Sequence, residues 1–241
     1  MVVNFFDTLG IGSFAPTTAL LRTFKQIDDR VLPGTLNVAC TIPVIVEAFA
    51  FIRAVEVEPI TLTSMLVAAS VGSYFGAGFM SKLPKATVQR VMAVALGLAG
   101  LVMLFQMLGI FPGGGEAIGL TGVALVIGVV GNLILGALMT AGVGLYAPCM
   151  ALVYLLGMSP AVAFPIMMGS CAYLMPICSV KFIKEGAYNR KASMAITIFG
   201  VVGVLIAVFL VTSLPLTVLK WLVVCVIAYT SISMFKASKT A

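Results

Sequence analysis

The chain is predicted to be an all-α integral membrane protein made of two inverted-topology repeats. It should hold about 7–8 transmembrane helices, plus discontinuous half-helices at two Gly-x-Gly-x-x-x-Pro segments. Three observations predict this. Of 241 residues, 61% are apolar and only 9% charged, with a mean hydropathy of +1.19, well beyond what a water-soluble domain exposes. The segment TLGIGSFAPTTALL (8–21) returns as TAGVGLYAPCMALV (140–153), an offset of 132 with seven identities in fourteen positions. The basic residues of corresponding loops also exchange sides between the two copies.

The elements follow in order. Apolar runs occur at 33–52, 60–80, 87–110, 119–140, 163–180, 192–212 and 217–235, near the ~20 residues that cross a bilayer as a helix. Only short polar loops separate them, so no soluble domain houses a separate activity. Lipid-facing backbone must bond internally, and without the ten-residue alternation of a barrel the spans are helices. No cleavable signal peptide is visible. The first repeat spans 1–110, an external glycine-rich linker 111–118, and the second repeat 119–241. Further anchors at an offset of 131 to 132 are Pro33 with Pro165, Gly72 with Gly203, and Leu83-Pro84 with Leu214-Pro215. About 20 apolar residues precede Gly142 but only nine precede Gly10. The expectation is a start upstream encoding about 15 to 20 further apolar residues, or support of the first half-helix by another subunit.

Cytoplasmic loops accumulate Lys and Arg. In the first copy the loop at 53–58 carries Arg53, Glu56 and Glu58, whereas 82–90 carries Lys82, Lys85 and Arg90. In the second, 181–191 holds Lys181, Lys184, Arg190 and Lys191 against Glu185, and the counterpart of 82–90 has only Lys220. Corresponding loops therefore face opposite sides, with 82–90, 181–191 and the tail bearing Lys236 and Lys239 on the cytoplasmic side of the cell membrane and Glu116 outside. For 111–118 and 154–162 both to be external, residues 119–157 must enter and return.

The glycine segments then acquire a purpose. Gly142 and Gly144 interrupt an apolar stretch, and Pro148 suits the first turn of a new helix. A helix start inside the membrane presents unpaired N–H groups bearing about half a positive charge. Uncompensated donors there cost several kcal/mol, roughly, unless they line a cavity or meet an anion. Gly10, Gly12 and Pro16 build the same device in the first copy. Two such starts aimed at one point make an anion site without a buried Lys or Arg. Ser13, Thr17 and Thr18 offer hydroxyls on one side, with Tyr146 and Cys149 as counterparts on the other. Close helix packing is the simpler use of Gly-x-Gly; repetition with proline at the same offset favours a discontinuous helix.

TLGIGSFAP, the second Gly-x-Gly pair and PLTVLKWLVV (215–224) resemble the TauE/SafE sulfite-exporter family, the toluene-sulfonate uptake permease type. The resemblance covers nearly the whole chain and implies transport of a small sulfur oxyanion or organosulfonate across the cytoplasmic membrane, coupled to ions. The family signature is often richer in glycine, GxGGG, where this chain has Ser13-Phe14 and Leu145-Tyr146.

Polar residues within apolar spans complete the candidate site. Glu47, in PVIVEAFAF, is the proton-coupling candidate, since a buried carboxyl exchanges charge with protonation; the alternative is a structural partnership, for instance with Lys181. Asn37 and Asn132 bond an oxyanion or, more ordinarily, bridge helices. Asp7, just before the first Gly-x-Gly, binds a coupling cation or ends its helix, and its charge argues against substrate contact. Ser170, Cys171 and Cys178 lie along one segment, where buried cysteine is usually a small hydrophobe. All five Cys lie in apolar segments and there is no His, which argues against a disulfide framework, zinc or haem. Fourteen Met show no clustered Met-x-x-Met pattern, so no metal or other cofactor is expected. No GxxxxGK[ST] loop binds nucleotide, and no nucleophile–base or carboxylate pair suggests an enzyme. The net charge of +6 follows from loop topology, not from nucleic acid. The expected partners are a small anion and membrane lipid, with a homo-oligomer left open; a passive channel and a scaffold are the competing functions.

Overall fold

The computed structural model describes residues 1–10, 12–110, 115–142 and 144–210, with isolated positions beyond. All of PLTVLKWLVV, Leu214-Pro215, Lys220, Cys225, Lys239 and most of the predicted span 217–235 lie outside the described residues. Nine α-helices occur among those described: α1 (Val2–Asp7), α2 (Phe14–Thr23), α3 (Leu32–Ala54), α4 (Pro59–Met80), α5 (Lys85–Met107), α6 (Gly122–Met139), α7 (Tyr146–Leu155), α8 (Pro160–Lys184) and α9 (Arg190–Leu210). Five described helices, α3, α4, α6, α8 and α9, are long and apolar enough to cross a membrane. α5 covers most of the predicted 87–110 run.

Proline and capping residues set where the long helices begin. Pro33, Pro59 and Pro160 occupy first-turn positions of α3, α4 and α8, where a missing N–H costs no hydrogen bond. Glu58 caps α4, its carboxylate accepting from Thr61 N–H at 2.6 Å and Ile60 N–H at 3.0 Å. The hydrogen bonds, those from Thr61 foremost, hold the Glu58 carboxyl below its ordinary range.

α3 and α8 form the centre and run antiparallel: Asn37 meets Cys178, Thr41 meets Ser179, and Gly169 faces Ile52. Within its most apolar 18 residues, α8 is 72% buried against 22% for α6. α4 packs on α6 and α8, while α9 packs on α1 and α3. These helix pairs approach through glycine. A Cβ at Gly72 would strike the Leu133 carbonyl and one at Gly136 the Ala69 backbone; a Cβ at Gly203 would strike the Met1 carbonyl, and one at Gly200 would meet Pro43 Cγ at 2.9 Å and Asn4 Cγ at 3.1 Å. Leu133 and Met1 are 132 positions apart, as are Gly136 and Asn4. Phe75, Phe79, Val123 and Phe209 point outward, as residues solvated by lipid do.

The loops gather at two ends. At one, Glu58 N–H donates to Ile118 O at 3.0 Å, Ser159 N–H to Ala117 O at 2.8 Å, and Gly115 N–H to Met158 O at 3.0 Å. The stretch from 117 to 158 therefore leaves and rejoins the same end. At the other, Gln89 Nε2 donates to Asp29 Oδ2 at 2.7 Å, Asn189 N–H to Thr35 Oγ1 at 2.9 Å, and Arg22 pairs with Asp29 at 3.0 Å. This second end carries Lys82, Arg90, Lys184, Arg190 and Lys191.

Candidate functional site

Neither glycine pair sits in an unbroken helix. α1 stops at Asp7 and α6 at Met139; Gly10 and Gly142 then turn the chain with φ of +79° and +85°, a conformation costing other residues about 1–2 kcal/mol. Gly10 N–H donates to Asp7 O at 2.8 Å, and Gly142 N–H to Met139 O at 2.9 Å. New helices start at Phe14 and Tyr146, with Ser13 and Leu145 as caps in closely similar backbone geometry. Pro16 and Pro148 fall in the first turn of each. The far ends agree as well: Gln26 N–H donates to Leu21 O, and Met158 N–H to Val153 O.

The two starts share a small chamber of ≈10 Å³ walled by Asp7, Gly12, Ser13, Phe14, Val44, Met139, Gly144, Leu145, Tyr146 and Cys171. Eight of these ten form four pairs 132 positions apart: Asp7 with Met139, Gly12 with Gly144, Ser13 with Leu145, and Phe14 with Tyr146. Two helix C-terminal ends and two N-terminal starts thus converge, flanked by α3 and α8. No side chain caps either start by a hydrogen bond. The space admits about one water molecule, so a sulfur oxyanion requires the chamber to widen. A larger cavity of ≈390 Å³, walled chiefly by apolar residues of α5 and α6 with Arg90 among them, shares Met139, Gly144 and Leu145 with the chamber and includes Pro148.

Two carboxyls dominate the electrostatics. Glu47 is fully buried, with Oε2 accepting from Tyr146 Oη at 2.9 Å and Oε1 lying 3.1 Å from Thr8 Oγ1. It ties α3 to the first break and to the start of α7. Its alternative partner, Lys181, lies elsewhere, with Nζ 4.1 Å from the centre of the Tyr74 ring. Asp7 is 2% exposed and lines the chamber beside Ser13. Asp7 ends α1, one of the two roles expected of it, and its side chain turns into the break. Asp7 Oδ2 has no hydrogen-bond partner.

The remaining candidates divide. Gly12, Ser13, Gly144 and Tyr146 reach the chamber, and Gly10 and Gly142 make the turns behind it. Thr17, Thr18 and Cys149 are buried in α2 and α7 but do not form the wall, and Thr18 Oγ1 has no partner. Asn37 and Ser170 do not line the chamber. Asn37 Nδ2 donates to Pro33 O within α3 at 2.8 Å and to the carbonyl of the wall residue Met139 at 3.5 Å, and its Oδ1 accepts from Cys178. Ser170 Oγ accepts from Asn132 Nδ2 at 2.8 Å, and Asn132 also donates to Met65 O at 2.8 Å. Cys40, Cys149, Cys171 and Cys178 are free and buried. Among the described residues no cluster of metal-binding side chains occurs. Missed by the sequence reading were Phe14, Leu145, Met139 and Val44: Phe14 and Leu145 belong to the repeated motif and Met139 was readable as the counterpart of Asp7, whereas Val44 joins the wall only through the packing of α3.

Comparison with protein-family models, curated proteins and solved structures finds no match.

Proposed function

We propose that the protein is a proton-coupled secondary transporter of a small anion, built from two inverted copies of one unit whose half-helix starts form the binding site. The observation that carries this reading is the common chamber, whose walls pair residue by residue across the duplication. The antiparallel α3 and α8, the matched glycine contacts of α4 with α6 and of α9 with α1, and the matched turns at Gly10 and Gly142 support the inverted repeat. The basic residues at the end holding 82–90 and 181–191 support a cytoplasmic placement of that end in the cell membrane. The sulfur oxyanion or organosulfonate specificity rests on the resemblance of the quoted segments to the TauE/SafE family.

A carrier suits the chamber better than a channel does, since room for one water gives no continuous path. Labelled sulfite counterflow in proteoliposomes tests this. With the membrane potential held at zero by equal potassium on both sides and a potassium ionophore, a carrier loaded inside with unlabelled sulfite accumulates label transiently; a channel or a scaffold does not.

A further inference from the structure

We propose that Asp7 and Glu47 form a proton-binding carboxyl pair that decides when the chamber admits an anion. The pair itself rests on geometry; its effect on anions rests on the transport reading above. Asp7 stands at the C-terminal end of α1, where helix carbonyls already concentrate negative charge. Its Oδ2 has no partner although the residue is almost wholly buried at the chamber wall. Ser13 faces the carboxyl with its hydroxyl and N–H, but Oδ2 itself lacks a donor, and a proton there removes the charge without needing room. The matching position in the other half is Met139, so the negative pole is one-sided.

Glu47 carries its own sign of a proton. Thr8 Oγ1 lies 3.1 Å from Glu47 Oε1 and 3.2 Å from Asn4 O. The hydroxyl has one hydrogen for these two acceptors. When it serves the Asn4 carbonyl, the contact with Glu47 is completed by a hydrogen on the carboxyl; when Glu47 is ionised, the hydroxyl turns to it. Two protonation states thus fit one heavy-atom arrangement. The titratable groups facing the pair are Tyr146 from α7, Cys40 from α3 and Cys171 from α8, with the Met1 amino group interacting with Cys40. Among the described residues no Lys or Arg pairs with either carboxyl. An anion therefore meets repulsion until protons neutralise the pair, and the two solutes travel in the same direction.

Infrared spectroscopy of the ligand-free full chain in detergent tests the pair. At neutral pH we expect protonated-carboxyl carbonyl stretches, one shifting on aspartate labelling and one on glutamate labelling, both disappearing as pH rises. Asp7→Asn and Glu47→Gln should each remove one, and Tyr146→Phe should move the glutamate band while keeping it. The labelled natural chain gives this reading even where a variant fails to fold. Absence of both bands from about pH 5 to pH 8, or their survival in both variants, overturns the proposal; a sodium-induced rise in melting temperature in a chain lacking the bands gives the site to a metal cation instead. Sulfite affinity in the same preparation should fall about tenfold per pH unit for each proton taken up. Sulfite binding that ignores pH overturns the gating. Titrating bands with no bound anion keep the pair and defeat the transport reading.

Discussion

Adding one methyl group at Gly144 separates the chamber from the turn that builds it. Gly144 lies outside the left-handed region, and a Cβ there would sit 3.9 Å from Phe14 Cβ, an ordinary contact. Alanine restricts the unfolded chain, a gain of about 0.4–1 kcal/mol, so Gly144→Ala should fold as well as the natural chain. Gly142 is different: at φ +85° alanine incurs about 1–2 kcal/mol, and its Cβ would come within 2.6 Å of Met92 Cε. At roughly 2–4 °C per kcal/mol for a chain of this size, Gly142→Ala should melt about 2–8 °C lower, while Gly144→Ala should melt about 1–4 °C higher. The functional ranking differs, because the methyl at 144 enters the ≈10 Å³ space between the two helix starts. Thermal unfolding of each purified variant with and without sulfite reads both quantities. A binding natural chain gains about 2.7 kcal/mol at a sulfite concentration a hundred times Kd; Gly144→Ala should show no gain. Equal destabilisation by the two alanines, or an undiminished sulfite response in Gly144→Ala, would refute the reasoning.

Other expectations follow from single contacts. Tyr146→Phe removes the hydroxyl donor to Glu47, and leaving a buried carboxyl with one fewer partner should cost about 1–3 kcal/mol, read as a lower melting temperature at alkaline pH. Asn132→Leu breaks the bridges to Met65 and Ser170; interhelical hydrogen bonds in membranes average about 0.6 kcal/mol, so transport should survive with a melting temperature lowered by a few degrees at most. Gly72→Ala drives a Cβ into the Leu133 carbonyl, and overpacking of this kind costs about 1–3 kcal/mol, visible in denaturation and greater than the effect of Gly144→Ala. Glu58 behaves oppositely to a group that gains a proton on folding. Its carboxyl is held below the ordinary range by bonds in the folded chain, so its stabilisation is present above the unfolded value and is lost as pH falls through the folded one. Glu58→Ala should lower the melting temperature at neutral pH and flatten its decline toward acid pH.

Much of the architecture was readable from local pattern. Apolar runs located α3, α4, α6, α8 and α9, and Gly-x-Gly-x-x-x-Pro marked both helix breaks, because turn conformation and the first-turn preference of proline are properties of neighbouring residues. The chamber was readable only in part. Gly12, Ser13, Gly144 and Tyr146 belong to the motif that forms it, whereas Val44 and Cys171 arrive on helices whose crossing no short-range signal encodes. Asn37 and Ser170 do not reach the chamber wall: Asn37 is engaged by Pro33 of its own helix, by the Met139 carbonyl and by Cys178, and Ser170 by Asn132. Asp7 was seen as a helix terminator beside the motif, but its use in the wall depends on how the turn at Gly10 folds back on α1. The two glycine pairs read alike in sequence, yet Gly12 takes φ +90° and Gly144 does not.

The claim that two helix starts meet to hold an anion is tested most directly by locating one. Diffraction from crystals of the full chain grown with selenite, a heavier analogue of sulfite, reports selenium by its anomalous signal. The account predicts a peak in a widened chamber bounded by Gly12, Ser13, Gly144 and Tyr146, absent in Gly144→Ala. Selenium found only beside the basic loops at the membrane surface, with the chamber empty at concentrations that saturate uptake, would contradict it.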